Sequence, residues 1–162
     1  MLVNSIEMLK QKGCNTNLVI VGADDENTGI NELIKQKDLE SQVWLYGPCF
    51  DENVLGELFY NASICISPGN VGLTAIHSLS YGCPVITHGD FPYQMPEFEA
   101  IIPNKTGAFF QRDNIEDLTQ TILSWLQHHT THREEVRKLA YEEIDRKWNI
   151  HYQINILNSV LQ

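Results

Sequence analysis

Basic residues are scarce in this chain. Its 162 residues include 11 lysines and arginines against 21 aspartates and glutamates, so the formal net charge is −10. Nucleic acids and anionic membrane surfaces are bound through clustered Lys and Arg side chains. The charge balance therefore argues against both partners. A phosphorylated ligand would have to be held locally, by backbone amides or by a few placed cations.

Long apolar runs are also absent. The run from Leu18 to Val21 is far too short to cross a bilayer, and the first 13 residues lack the pattern of a signal peptide. Four cysteines occur without any C-x-x-C pair, which favours reduced thiols over disulfides or a metal site: Cys14, Cys49, Cys65 and Cys83. These absences predict a cytoplasmic domain with no membrane span.

Two common ligand motifs are missing. The dinucleotide fingerprint G-x-G-x-x-G does not occur, which argues against a nicotinamide or flavin enzyme. His128 and His132 stand four apart without the carboxylate of an H-E-x-x-H motif, so we favour a solvated turn there. The acidic stretch at 24–26 suits either Mg²⁺ or a solvated loop, and we favour the loop. We predict no metal site.

Short β-type segments alternate with helical patterns along the chain. Continuous apolar or β-branched runs predict strands at 17–22, 42–47, 63–67 and 84–87, and a short edge strand at 106–110. Helical spacing of apolar residues predicts helices at 1–12, 27–36, 51–60 and 113–128, and another after 67. Asp51 is a natural N-cap, and Thr131 with Glu134 forms a capping-box pattern. A last helix from about Ile150 completes a helical tail.

This alternation predicts an α/β fold, a Rossmann-like, doubly wound parallel sheet. Ligands of such sheets bind beyond the carboxyl ends of the strands. Three segments occupy that functional edge, and each directly follows a predicted strand: 22–28, 46–51 and 67–72.

The third of these segments reads SPGNVG and runs into a helix. Gly69 permits a tight turn and close approach of a ligand, and Gly72 lies at the expected first turn of the helix. The amides of Gly72, Leu73 and Thr74 would then be unpaired at the positive end of the helix. That arrangement suits a diphosphate. The alternative is an ordinary strand-to-helix turn that binds nothing.

Five segments together resemble a known family: NLVIVG, VWLYG, NASICISPGNVGLTAIHSLSYGCPVITH, MPEFEAII and TGAFF. Their order and spacing are similar to the C-terminal domain of GT-B glycosyltransferases, in the retaining group 1 family that uses nucleotide-activated sugars. The resemblance covers about residues 1–125. It implies donor binding and transfer of a hexosyl group to a glycan or lipid-linked acceptor in polysaccharide biosynthesis, without a protein-bound metal.

The resemblance also implies where the donor lies. The diphosphate would contact the turn from Gly69 to Thr74, including Asn70 and Val71, chiefly through the amides named above. The nucleoside would lie near Tyr46, Gly47 and Pro48.

This sequence departs from the family at two glutamates. Gly69 stands where the family keeps a sugar-facing glutamate, and His77 stands where it keeps a ribose-binding one. The side chain of Asn70 is close enough to contact the donor sugar. His77 could accept from the ribose as a neutral imidazole; the alternative is a histidine packed beneath the turn.

A third departure is the beginning of the chain. The family's domain opens with a strand, a Gly-Arg-Leu turn and a Lys, and none has a match here. Residues 1–162 are therefore expected to be a single donor-binding domain, a fragment of a two-domain enzyme without its acceptor domain and inactive alone. The sheet should have a gap or an exposed edge beside 17–22, which invites pairing with another chain, such as a homodimer. The rival is a non-catalytic binding module that lost transferase chemistry.

Overall fold

Strands and helices alternate in the computed structural model, which describes residues 1–23 and 28–161. The acidic stretch of Asp24, Asp25 and Glu26 lies outside the described residues, as does Asn27. The strands are β1 (Leu18–Val21), β2 (Val43–Gly47), β3 (Cys65–Ser67), β4 (Val85–His88) and β5 (Gly107–Phe110). The helices are α1 (Leu2–Gln11), α2 (Ile30–Gln36), α3 (Glu52–Asn61), α4 (Thr74–Ser80), α5 (Ile115–His129), α6 (Arg133–Lys147) and α7 (Ile150–Val160). The predicted α/β class is confirmed.

The five described strands are all parallel, and they form two sheets. β1 pairs with β2, and β4 lies between β3 and β5. In the doubly wound order the first strand lies between the second and the fourth. The pairings of the described strands are those of that order with its central strand left out. Among the described residues, β1 and β3 each have one unpaired edge, which confirms the predicted gap beside 17–22.

Two apolar clusters form the core. The larger one joins both sheets to α1 and α5, and at its centre lie Leu9, Leu39, Ile86, Leu118 and Trp125. The smaller one packs α4 and α6 against the other face of β4, around Ala75, Leu79, Val85 and Ala140. All four residues of β4 are buried, whereas Val19 and Val21 of β1 are about 40% exposed. β1, beside the gap, alternates half-buried and exposed residues, whereas β4 is buried along its whole length.

The helix ends agree with the sequence at α3 and differ at α6. The Asp51 carboxylate accepts from the Asn53 amide at 2.9 Å, as its N-cap position predicts. The prediction of a capping box at Thr131 and Glu134 is wrong, since α6 begins at Arg133 and Glu134 pairs with Arg137. A 3-10 turn at Thr130–His132 displaces the expected start.

The last helix forms where the sequence predicts it but buries none of its residues. Its apolar side chains are 46% to 76% exposed at Ile150, Ile154, Leu157 and Val160. Among the described helices, none is both long and apolar enough to span a membrane.

Candidate functional site

The glycine turn connects β3 to α4 at the carboxyl end of the sheet. Gly72 has φ +46°, a left-handed conformation that favours glycine. Gly69 has no such conformation, and a Cβ built on it would meet nothing within 4 Å. The backbone conformation therefore favours glycine at Gly72, whereas Gly69 leaves open space beside the backbone.

Two of the three amides expected to be unpaired have partners. The Gly72 amide donates to Asn70 Oδ1 at 3.1 Å, and the Thr74 amide donates to the Val71 carbonyl at 3.2 Å. Only the Leu73 amide lacks a partner within the described part of the chain. The expectation of three free amides is corrected because the short Asn70 side chain folds back onto the Gly72 amide and a backbone turn pairs the Thr74 amide.

A glutamine from a later segment fixes this turn. The Gln94 side-chain oxygen accepts from the Val71 amide at 2.8 Å, and its Nε2 donates to Thr87 Oγ1 at 2.9 Å and to the His88 carbonyl at 3.1 Å. Thr87 in turn donates to the Gly69 carbonyl at 3.2 Å. The sequence analysis missed Gln94, because no local spacing links it to a turn more than 20 residues earlier.

Asn70 has little acceptor capacity left for a ligand. Its Oδ1 accepts from the Gly72 amide and also from the Met95 amide at 3.3 Å. The side-chain Nδ2 has no hydrogen bond in the described part of the chain. Asn70 can therefore contact a sugar as a donor, through Nδ2.

The second functional-edge segment follows β2. Tyr46 is half-buried, with its ring 5.0 Å from that of Trp44, and Pro48 is exposed. Gly47 has φ +85°, and its carbonyl accepts from the Gly22 amide at 3.0 Å. This bond joins the ends of β1 and β2, so the predicted nucleoside segment is anchored to the sheet.

His77 lies on α4 and faces α3. Its Nε2 lies 2.7 Å from Glu52 Oε1, and its side chain is 35% exposed. The histidine is therefore not packed beneath the turn. One of its two ring nitrogens is already engaged by a carboxylate, and that carboxylate was not singled out in the sequence.

Three titratable side chains in or beside the strands have shifted pKa values. Burial lowers the pKa of His88, whose Nδ1 accepts from the Asp90 amide at 3.2 Å. Burial raises the pKa of Cys65 to about 12 and that of Cys83 to about 11. These thiols stay protonated at neutral pH, and neither is an activated nucleophile.

The described residues contain a cavity at the opposite, amino ends of β3 and β4. Its volume is about 140 Å³, and it is lined in part by Ser63, Gly82, Pro84 and Arg133. The Arg133 guanidinium already donates to the carbonyls of Tyr60 and Ala62. The Nη2 donors are thus used by the backbone, and the carboxyl ends of the strands, where ligands of doubly wound sheets bind, remain the better ligand site.

The histidine-rich junction lies between α5 and α6. His129 stacks on Trp125 with 4.0 Å between ring centroids. Across residues 1–23 and 28–161, no group of three or more metal-ligating side chains comes together.

Comparison with known proteins indicates the family of this chain. The sequence model of the family described as "Glycosyl transferases group 1" matches residues 1–143. A poly(glycerol-phosphate) alpha-glucosyltransferase of Bacillus subtilis (strain 168) is 30% identical over 119 residues, which are 72% of this chain and 17% of that protein. The chain therefore spans about one sixth of this curated relative.

Solved structures agree on the fold. A TarM variant of S. aureus, crystallised with fondaparinux, alpha-GlcNAc-glycerol and UDP, aligns over 97% of this chain and 32% of its own, with TM-score 0.78 and 22% identity. The C-terminal domain of a group 1 glycosyl transferase of Francisella tularensis aligns over 92% of this chain and 78% of its own, with TM-score 0.70 and 21% identity. The fold is that of GT-B C-terminal domains, and the chain belongs to the group 1 glycosyltransferases.

Proposed function

We propose that this chain is the nucleotide-sugar donor-binding domain of a cytoplasmic glycosyltransferase. The enzyme would transfer a hexosyl group to a glycan or lipid-linked acceptor in polysaccharide biosynthesis. The observation that carries the proposal is the turn after β3. Gln94 and Asn70 hydrogen-bond this turn, the Leu73 amide is unpaired among the described residues, and a Cβ at Gly69 would meet nothing within 4 Å. Membership of the family and the UDP in the TarM variant support a nucleotide ligand.

In this proposal the donor diphosphate lies against the turn from Gly69 to Thr74. The Leu73 amide donates directly, and the Gly72 amide does so once the phosphate displaces Asn70 Oδ1. Backbone donors of this kind stabilise charge as it develops on a departing phosphate. The mechanism needs no basic patch, in agreement with a chain of net charge −10.

The nucleoside is proposed to lie at the end of β2, beside Tyr46, Gly47 and Pro48. The half-buried Tyr46 ring offers an apolar surface, and the left-handed Gly47 brings the backbone close. The donor sugar extends toward Gly69 and Asn70, where the absence of a Cβ leaves room and Asn70 Nδ2 is a donor.

The acceptor is proposed to bind elsewhere in a larger protein. This chain spans 17% of the Bacillus relative and 32% of the TarM variant, which supports a separate acceptor-binding domain. We expect no transferase activity from residues 1–162 alone. The unpaired edges of β1 and β3 also offer a place for a second copy of the chain.

A backbone change at Leu73 tests the donor site. Leu73→Pro removes the free amide hydrogen, and the φ of −60° at this position already suits proline. Calorimetric titration with UDP, GDP and ADP should show one nucleotide bound by the natural chain and at least about tenfold weaker binding by Leu73→Pro. Leu73→Ala keeps the amide and should bind like the natural chain.

Two outcomes would contradict the donor site. The first is that none of the three nucleotides binds the folded natural chain, which would favour the rival non-catalytic module. The second is equal affinity of Leu73→Pro and Leu73→Ala, which would remove the turn from the site. Thermal melts of each variant establish that both remain folded.

A further inference from the structure

Glu52 presents a carboxylate that two other side chains orient. Its Oε1 accepts from the Tyr81 hydroxyl at 2.7 Å and lies 2.7 Å from His77 Nε2. Glu52 is the first residue of α3, whereas His77 belongs to α4 and Tyr81 follows it directly. A surface carboxylate with two such partners is fixed in direction, unlike a free glutamate at a helix end.

Aromatic packing limits how these partners can move. The Phe59 ring lies edge-on to His77 at 5.0 Å and stacks on Tyr81 at 6.1 Å. A Cβ at Gly56 would lie 2.7 Å from the Tyr81 ring, so α3 and this ring are in close contact. The arrangement holds the imidazole and the phenol in place around the carboxylate.

The second oxygen of Glu52 is left open. Oε2 has no hydrogen bond within the described part of the chain, and the side chain is 63% exposed. Hydrogen bonds from Tyr81 and then His77 lower the pKa of Glu52, so the group is ionised at neutral pH. An ionised oxygen facing solvent can accept two further hydrogen bonds.

The position of this carboxylate indicates its ligand. Glu52 lies five residues beyond the end of β2, on the side of the proposed nucleoside, and it contacts the helix that follows the glycine turn. Acidic side chains of dinucleotide-binding doubly wound folds accept hydrogen bonds from ribose hydroxyls. A vicinal diol supplies two O–H donors, which match the free acceptor capacity of Glu52.

We propose that Glu52 binds the ribose hydroxyls of the nucleotide and that His77 is its positioning residue. The inference rests on the proposed donor site. It differs from the expectation that His77 itself accepts from the ribose, since Nε2 is engaged by Glu52 and only Nδ1 is left as an acceptor among the described residues. Tyr81 shares the positioning role through its hydroxyl.

The test compares each nucleotide with its 2′-deoxy form. Calorimetry first identifies which of UDP, GDP and ADP binds the natural chain, and the matching 2′-deoxynucleoside diphosphate is then titrated. The natural chain should prefer the ribonucleotide about tenfold. Glu52→Ala should lose that preference and bind both forms more weakly than the natural chain binds the deoxy form, whose 3′-hydroxyl can still donate to Glu52. Glu57→Ala, on the exposed side of the same helix, should keep the preference.

Two substitutions of His77 test its positioning role. His77→Ala should reduce the ribose preference, whereas His77→Gln, whose amide can donate to Glu52, should restore most of it. A merely structural histidine would change both nucleotides equally and leave their ratio intact.

The outcomes separate the two proposals. Nucleotide binding with an unchanged ribose preference in Glu52→Ala would overturn the role of Glu52 and leave the donor site standing. Failure of all three nucleotides to bind the natural chain would overturn both. Loss of the preference in Glu57→Ala as well would show that the effect is not specific to Glu52.

Discussion

At the residue scale, the glycine turn depends on side chains that no motif contains. Gln94 bonds the Val71 amide and joins Thr87 to the His88 carbonyl, so one amide group ties the turn to β4. The importance of Gly72 could be predicted from the sequence, since its place before a helix requires a turn. Gln94 and Glu52 could not, because their partners lie 23 and 25 residues away.

Two glycines with different surroundings give a matched test of the packing between β4 and β5. A Cβ at Gly107 would lie 1.9 Å from the Val85 carbonyl oxygen, so Gly107→Ala must separate β4 from β5. We expect it to lower the free energy of unfolding by about 3 kcal/mol. Gly69→Ala meets open space and should change it by less than about 0.5 kcal/mol. Urea unfolding measures both, and equal losses would contradict the packing described.

At the element scale, strand positions were predictable because continuous β-branched runs mark buried parallel strands. Each strand begins and ends within two residues of its predicted bounds, and β5 is the expected edge strand. The start of α6 was not predictable. The capping-box pattern at Thr131 competes with a 3-10 turn that continues from α5, and the turn prevails. The break between β1 and β3 followed from the strand order that the family resemblance implies.

Hydrogen exchange tests the unpaired edges directly. The Leu18 amide donates to the Gln42 carbonyl and the Cys65 amide to the Pro84 carbonyl, so the alternate amides of Val19 and Ile66 point to the open edges. Val19 and Ile66 should exchange at least about tenfold faster than Leu18 and Cys65.

The concentration dependence of this exchange separates two states of the edge. Protection of Val19 and Ile66 that grows with protein concentration would indicate pairing with a second copy. Protection that is strong at every concentration would contradict the open edges.

At the scale of the whole molecule, the two ends of the strands differ in chemistry. The carboxyl ends carry the glycine turn, the Glu52 carboxylate and the β2 loop, with an unpaired amide and an open carboxylate oxygen among the described residues. The amino ends carry a cavity whose Arg133 is already bonded to backbone carbonyls. The binding site is therefore proposed at the carboxyl ends only, although a cavity lies at the amino ends.

Backbone amide shifts in a ¹H–¹⁵N NMR titration most directly test the proposal that the nucleotide binds at the carboxyl ends of the strands. When the nucleoside diphosphate that binds is added, the largest shifts should fall at Gly47, Gly72 and Leu73. Residues around the far cavity, such as Gly82 and Arg133, should change little. Shifts concentrated at Gly82 and Arg133, or no shifts with UDP, GDP or ADP, would contradict a donor site at the carboxyl ends of the strands.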